Sequence, residues 1–188
     1  MKIIVASGNA HKMQEIAQIL DGFELISMRD AGFDGDIEEN GSTFKENAYI
    51  KAKFIADRLS YPALADDSGL CVDALGGAPG VYSARYSGGG DKENRKLLLK
   101  NLENAGSRTA RFKSVVCLCF PDGRTVFGEG ACEGRILFED TGDSGFGYDA
   151  IFYSDDLKKS FGLATAEEKN KVSHRFRALT DLKSKLFK

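Results

Sequence analysis

The chain has 188 residues, enough for a single domain over residues 1–188, folded as one body or as two lobes, whose core takes about 70% of the unfolded surface out of water. Hydrophobic residues at 42% and charged residues at 29% exclude a disordered or fibrous chain. The net charge, 26 − 28 = −2, excludes holding a polyanion such as nucleic acid by charge alone, while leaving room for a local cluster that binds a small anion.

Lys2 to Ala6 is a short β-branched run and reads as a first strand. It is too short for a signal sequence, and no stretch reaches the roughly 18 apolar residues of a membrane span, so the expected compartment is the cytosol. Ser7 to Ala10 has turn chemistry, and Met13, Ile16, Ala17 and Leu20 recur at helical spacing over 11–20. Phe23 to Ser27 suits a second strand, and the acidic Asp34 to Gly41 a loop. Thr43 and Glu46 stand at capping-box spacing, which predicts a helix from there to Leu59. Pro62 to Ala65 reads as a strand running directly into a turn at Asp66-Asp67-Ser68-Gly69.

Beyond a Gly- and Pro-containing loop at 76–80, a helix is expected over 92–102. Strands follow over 110–120 and 125–132, joined by a turn at Pro121-Asp122-Gly123. Gly142 to Gly147 is a second Gly-rich loop, Ala150 to Tyr153 a short strand, and Thr165 to Phe187 one final helix. The order predicts a mixed α/β fold with antiparallel pairing in the middle. Of the four cysteines, Cys117 and Cys119 share one face of a strand; their spacing does not match a zinc site, so reduced structural thiols are expected.

Six segments carry groups suited to chemistry. Ser7-Gly8-Asn9-Ala10-His11-Lys12 lies between a strand and a helix, where N–H groups, a hydroxyl and a lysine make a phosphate cradle; it is equally an ordinary turn with an exposed lysine. The adjacent carboxylates Asp66 and Asp67 repel unless solvated or bound to a cation, and hard oxygen donors suit Mg²⁺. Glu38 and Glu39 stand as a second carboxylate source or a solvated pair. Lys51 interrupts an apolar helical face, either snorkelling or reaching toward a phosphate.

Gly145-Phe146-Gly147-Tyr148-Asp149 offers a ring to stack on a base and a carboxylate for base N–H groups, or a tight turn with its aromatics in the core. Lys169 with Ser173-His174-Arg175, one turn apart on the final helix, offers donors for a base carbonyl or a phosphate, or a solvated basic face. A serine-hydrolase elbow is missing, and two histidines are too few for most His-based metal sites.

Taken in order, these segments resemble the inosine triphosphate pyrophosphatase family. The likeness rests on Ser7 to Lys12, Glu38 to Gly41, Thr43 to Ala48, Ala65 to Leu70, Leu75 to Arg85, Gly145 to Asp149 and Glu168 to Arg175, which span nearly the whole chain. It implies an α/β fold with a long, mixed, largely antiparallel sheet and helices forming two lobes around a central cleft. It also implies a homodimer hydrolysing ITP, dITP and XTP to monophosphate and pyrophosphate. In that family Ser7, Gly8, Asn9, Ala10, His11 and Lys12 would hold the triphosphate with Lys51. Glu39 and Asp67 would bind Mg²⁺, with Asp67 the proton acceptor, and Ser68 would touch substrate. Phe146, Gly147, Tyr148 and Asp149 would line the base and sugar pocket, completed by Lys169, His174 and Arg175.

The departures are Ala150, where the family often has proline, and Ser7, where threonine is common. His174 and Arg175 donors would favour the C6 carbonyl of hypoxanthine and xanthine over the amino group of adenine. Two other readings compete: a pyrophosphatase for other nucleotides, and a non-catalytic nucleotide-binding module.

Overall fold

A computed structural model describes residues 1–186. Seven strands form one sheet in the order β2-β1-β3-β4-β5-β6-β7. They are β1 (Lys2–Val5), β2 (Glu24–Ser27), β3 (Ala63–Val72), β4 (Thr109–Cys119), β5 (Thr125–Ile136), β6 (Phe152–Ser154) and β7 (Lys159–Ser160). β1 runs parallel to both β2 and β3, and β6 runs antiparallel to both β5 and β7, so the expected mixed sheet is present. The helices are α1 (Ala10–Ile19), α2 (Phe44–Leu59), α3 (Asp91–Asn101), α4 (Ala166–Lys169) and α5 (His174–Leu186).

The chain divides into two compact units. The first comprises Met1–Asp67, Ser114–Gly130 and the chain from Arg175; the second comprises Ser68–Lys113 and Ala131–His174.

In the first unit β1, the start of β3 and the end of β4 have both faces covered, and their side chains alternate between two cores. Ile3, Val5, Leu64, Val116 and Leu118 join Ile16 and Leu20 at α1, with Ala178, Leu179 and Leu182 of α5. The intervening Ile4, Ala63, Ala65, Cys117 and Cys119 join Ala48, Ala52, Ile55 and Ala56 of α2. This is the period-two alternation of a strand with both faces covered. α2 starts where the capping box predicts: Thr43 accepts from the Glu46 N–H, and the Glu46 side chain accepts from that of Thr43. All four cysteines are buried and outside any disulfide, and burial pushes the Cys117 thiol up to about 12, so it is a packing group rather than a nucleophile.

α5 packs tightly on β5 at Gly128, where an added Cβ would lie 2.1 Å from the Ala178 carbonyl oxygen. Gly128→Ala is therefore expected to cost about 1–3 kcal/mol, read from the urea midpoint. An unchanged midpoint would mean that the helix shifts without penalty.

The second unit has its own core of Leu70, Val72, Leu98, Leu102, Phe112, Ile136, Phe152 and Phe161. Phe152 packs on Phe112 at 4.7 Å and on Phe161 at 5.2 Å between ring centroids.

The structure corrects three expectations. Asp66, Asp67, Ser68 and Gly69 do not form a turn after a strand: β3 runs through them from Ala63 to Val72. Aspartate and glycine disfavour strands, but here the two carboxylates meet cations on both faces of the sheet, described below.

The final helix is broken as well. α4 ends at Lys169 and α5 begins at His174, so Lys169 and Ser173 do not lie along one continuous helix. Thr165 and Glu168 close a second capping box around one short turn, and Asn170, Val172 and Ser173 are weak helix formers that let it end. The expected end at Phe187 lies outside the described residues. The strand expected over 150–153 begins later, at Phe152, after a 3₁₀ turn over Asp149–Ile151.

Candidate active site

Alternation along β3 sends its two aspartates in opposite directions. Asp66 shares the face of Leu64, which α1 and α5 cover. Asp67 shares the face of Ala63 and Ala65, which α2 covers. Each therefore meets a different set of partners.

Asp66 is fully buried among cations. Lys12 Nζ of α1 lies 2.8 Å from its Oδ2, and Arg175 NH2 of α5 lies 3.1 Å from the same oxygen. Ser114 of β4 donates to Oδ1 at 2.5 Å. Burial alone would raise this carboxyl, but the Arg175 guanidinium and Lys12 ammonium outweigh it and hold the group well below the usual carboxylate range. Arg175, 1% exposed, also pairs with Glu15 of α1.

Asp67 has the opposite balance. Burial raises its carboxyl above the usual value, and Lys51 and Lys12 oppose that without cancelling it. Lys51 lies inside the apolar face of α2, where its ammonium donates to the Asp66 carbonyl oxygen at 3.0 Å. The ammonium pairs with Glu39 at 2.7 Å and approaches Asp67 Oδ1 at 3.6 Å. Asp67 Oδ2 is buried with no hydrogen bond among the described residues. The Asn47 amide lies beside the carboxylate and lowers it slightly, while its Oδ1 accepts from the Gly41 N–H. The two neighbouring acids are thus driven apart, Asp66 held ionised and Asp67 raised above the ordinary carboxylate value.

Ser7 to His11 enter α1. Ser7 Oγ accepts from the Asn9 N–H, and Asn9 caps the helix by accepting from the Lys12 N–H. Gly8, Asn9, Ala10 and His11 are exposed. A helix start with exposed backbone N–H groups beside a lysine suits an anion.

The second unit holds the other expected residues. Lys169 and Asp149 form a buried pair at 2.7 Å, and the Lys169 ammonium sits 4.6 Å from the Phe146 ring centroid. Asp149 Oδ2 also accepts from the Phe146 N–H at 2.9 Å. Gly145 is required here: its φ is +78°, and a Cβ would lie 2.1 Å from Asp149 Oδ2. Burial pushes the Tyr148 phenol up, and its hydroxyl donates to the Ser83 carbonyl oxygen at 2.9 Å. The His174 ring stacks on Phe112 at 4.8 Å with 14° between planes. Ser68 follows Asp67 on β3 and is half-buried.

The expected residues thus fall into two groups: Ser7–Lys12, Glu39, Lys51, Asp67 and Arg175 in the first unit, and Ser68, Phe146–Asp149, Lys169 and His174 in the second. Sequence reasoning missed Glu15 and Ser114. Glu15 could have been found, since it stands three residues after Lys12 on the same helical face; Ser114 could not, because it reaches Asp66 only through strand pairing.

A mixed α/β sheet carrying buried, oppositely tuned carboxylates beside lysines and a helix start suited to an anion defines a phosphate-handling protein. Comparison with known proteins takes this further. The chain belongs to the Ham1 family, whose sequence model matches residues 3–185. It is 45% identical to a protein named dITP/XTP pyrophosphatase from Haemophilus influenzae, over 98% of each chain. It is 48% identical to one of the same name from Halalkalibacterium halodurans, over 95% of each. Among solved structures, a Ham1 protein from Coxiella burnetii superposes with a TM-score of 0.91 at 39% identity, covering 100% of this chain and 98% of that one. The Staphylococcus aureus Ham1 protein gives 0.90 at 39% identity, covering 99% and 98%. The resemblance carried by the motifs is therefore borne out as to family and fold.

Proposed function

We propose that this chain is a nucleoside triphosphate pyrophosphatase that hydrolyses ITP, dITP and XTP to monophosphate and pyrophosphate, acting in the cytoplasm as a homodimer. The observation that carries the reading is the divergence of Asp66 and Asp67: one is held ionised by Lys12 and Arg175, the other is made more basic by burial and keeps an oxygen with no hydrogen bond among the described residues. The dITP/XTP pyrophosphatases to which the chain is similar support the choice of substrate. No helix among the described residues is long and apolar enough to cross a membrane.

In this reading Ser7 to Lys12 and Lys51 hold the triphosphate, and Ser68, Phe146 to Asp149, Lys169 and His174 receive the base and sugar. Asp67 accepts the proton of a water that attacks the α-phosphorus. The new P–O bond forms as the bond to the bridging oxygen breaks, and pyrophosphate leaves with its charge met by Lys12 and Lys51.

A divalent cation fits the donor set. Among the described residues no group of three or more His, Cys, Asp or Glu side chains could hold one, but Mg²⁺ commonly takes one or two carboxylates and completes its shell with phosphate and water. Glu39 and Asp67 supply such a pair, now facing the single Lys51 ammonium. Bound there, Mg²⁺ would neutralise phosphate charge and orient the triphosphate for in-line attack.

The base is read by donors. His174 would donate to a C6 carbonyl and meet an unpaired donor on adenine, a mismatch worth about 10⁴-fold in discrimination. Arg175 would join it with guanidinium N–H groups beyond those that pair with Glu15 and Asp66.

The test is pyrophosphate release from ITP, XTP, GTP, ATP and dTTP, with and without Mg²⁺, at mildly alkaline pH. Mg²⁺-dependent release from ITP and XTP alone is expected. Release from all five would remove the selectivity, and none from any would leave a nucleotide-binding module.

A further inference from the structure

The loop Gly145–Asp149 is gripped by α3 through the loop's backbone at Gly147. Gly147 has a φ of +61°, and both of its backbone polar groups are bonded to the same helix. Its N–H donates to Asp91 Oδ2 at 2.7 Å, and its carbonyl oxygen accepts from Arg95 NH1 at 2.9 Å. Asp91 and Arg95 stand four residues apart in α3 and so share a face.

The rest of the Arg95 guanidinium forks onto Asp140, Nε to Oδ1 at 2.9 Å and NH2 to Oδ2 at 2.8 Å. One arginine therefore joins the start of the Gly-rich segment to its tip. Bidentate, charge-assisted contacts of this kind fix orientation as well as distance. Asn94 of the same helix holds the neighbouring strap, donating to the Ala84 carbonyl oxygen at 3.2 Å and accepting from the Ser87 N–H at 2.8 Å. Tyr148 anchors to that strap through Ser83.

The loop is thus held on both sides of Phe146. Asp149 bonds the Phe146 N–H from one side and α3 bonds Gly147 from the other. α3 thus bonds two successive peptides, the one between Phe146 and Gly147 through its N–H and the one between Gly147 and Tyr148 through its carbonyl, and neither can turn without breaking a bond.

We propose that Asp91 and Arg95 are positioning residues for base recognition, setting how well the Phe146–Asp149 loop is preorganised to receive the base while leaving the phosphate chemistry at Asp67 untouched. The proposal rests on the reading that Phe146 and Asp149 meet the base. Glycine at 147 gives the loop freedom, and α3 removes it.

The experiment measures kcat and KM for ITP, with inhibition by IMP and by inorganic tripolyphosphate, which has no base. The variants are Asp91→Ala, Asp91→Asn, Arg95→Met, Arg95→Lys and Phe146→Ala. Asp91→Ala and Arg95→Met are expected to raise KM for ITP and the inhibition constant of IMP about tenfold, the effect of losing one charge-assisted bond. kcat and the inhibition constant of tripolyphosphate should hold. Asp91→Asn, whose amide oxygen still accepts from Gly147, should stay near the parent. Arg95→Lys, with charge but no fork, should fall between and serves if Arg95→Met does not fold.

Unchanged IMP inhibition in Asp91→Ala and Arg95→Met, with Phe146→Ala weakened, would overturn the proposal and leave the base-loop reading standing. Equal weakening of IMP and tripolyphosphate would also overturn it, by showing general loosening. No effect in Phe146→Ala would overturn the base-loop reading itself, and the proposal with it.

Discussion

Asp67→Asn is expected to lower kcat by at least about 100-fold while leaving the fold as stable as before or slightly more so. The two halves of this expectation have one cause. The Asp67 carboxylate is disfavoured by burial, and its Oδ2 has no hydrogen bond among the described residues, so the neutral amide relieves a desolvation cost. The same replacement removes the only property the proposed chemistry needs, a buried basic oxygen able to take a proton. Single-turnover pyrophosphate release from ITP, together with a thermal melt, checks both. Near-parental turnover in a folded Asp67→Asn would remove Asp67 from the role of base. Lost activity with a lower melting point would mean only that the site had collapsed.

Arg175→Met should have the opposite character, with a large cost to stability. Arg175 is 1% exposed and stands between two carboxylates, Glu15 and the fully buried Asp66. Removing the cation takes away the strongest of the charges that hold Asp66 ionised, and breaking a buried pair from one side costs about 3–5 kcal/mol. In a chain of this size that is roughly 10 °C of melting temperature.

The acid limb of stability should change as well. In the parent the Asp66 carboxyl lies well below its ordinary 3.8, so its contribution is present above 3.8 and lost as pH falls through the lower folded value. Without Arg175 that protection shrinks, and acid unfolding should begin at higher pH. Urea titrations at pH 7 and pH 4 measure both effects. A loss below about 1 kcal/mol at pH 7 would show that Asp66 finds another partner.

The parts of this molecule legible in the sequence are those written in local spacing. Thr43 and Glu46 announce the start of α2, and the strand periodicity of 110–120 correctly puts Cys117 and Cys119 on one face. The family motifs identify the cluster of Glu39, Lys51 and Asp67 by residue type.

What was not legible depends on pairing. Asp66-Asp67-Ser68-Gly69 has the composition of a turn, and only Lys12, Arg175, Ser114 and Lys51, brought from three helices and a strand, allow a strand to carry it. The break between Lys169 and Ser173 lies within residues that differ from helix formers by only tenths of a kcal/mol, too little to decide a boundary. The grip of α3 on Gly147 joins positions 56 residues apart with no local trace.

The placement of two aspartates on opposite faces of one strand has a consequence for how this chain can vary. Side chains in β3 change face at every residue, so losing one residue between Ala63 and Ala65 would exchange the surroundings of the pair. The next carboxylate would then enter the nest of Lys12 and Arg175 as a fixed charge, and the former counter-ion would turn to the face that α2 covers, at the place of Ala65. Substitutions in this stretch cost packing alone, whereas a single deletion would rewrite the charge assignment. The stretch from Ala63 to Ala65 should therefore tolerate changes of side chain far better than changes of length, and the reading frame of the strand is itself part of the site.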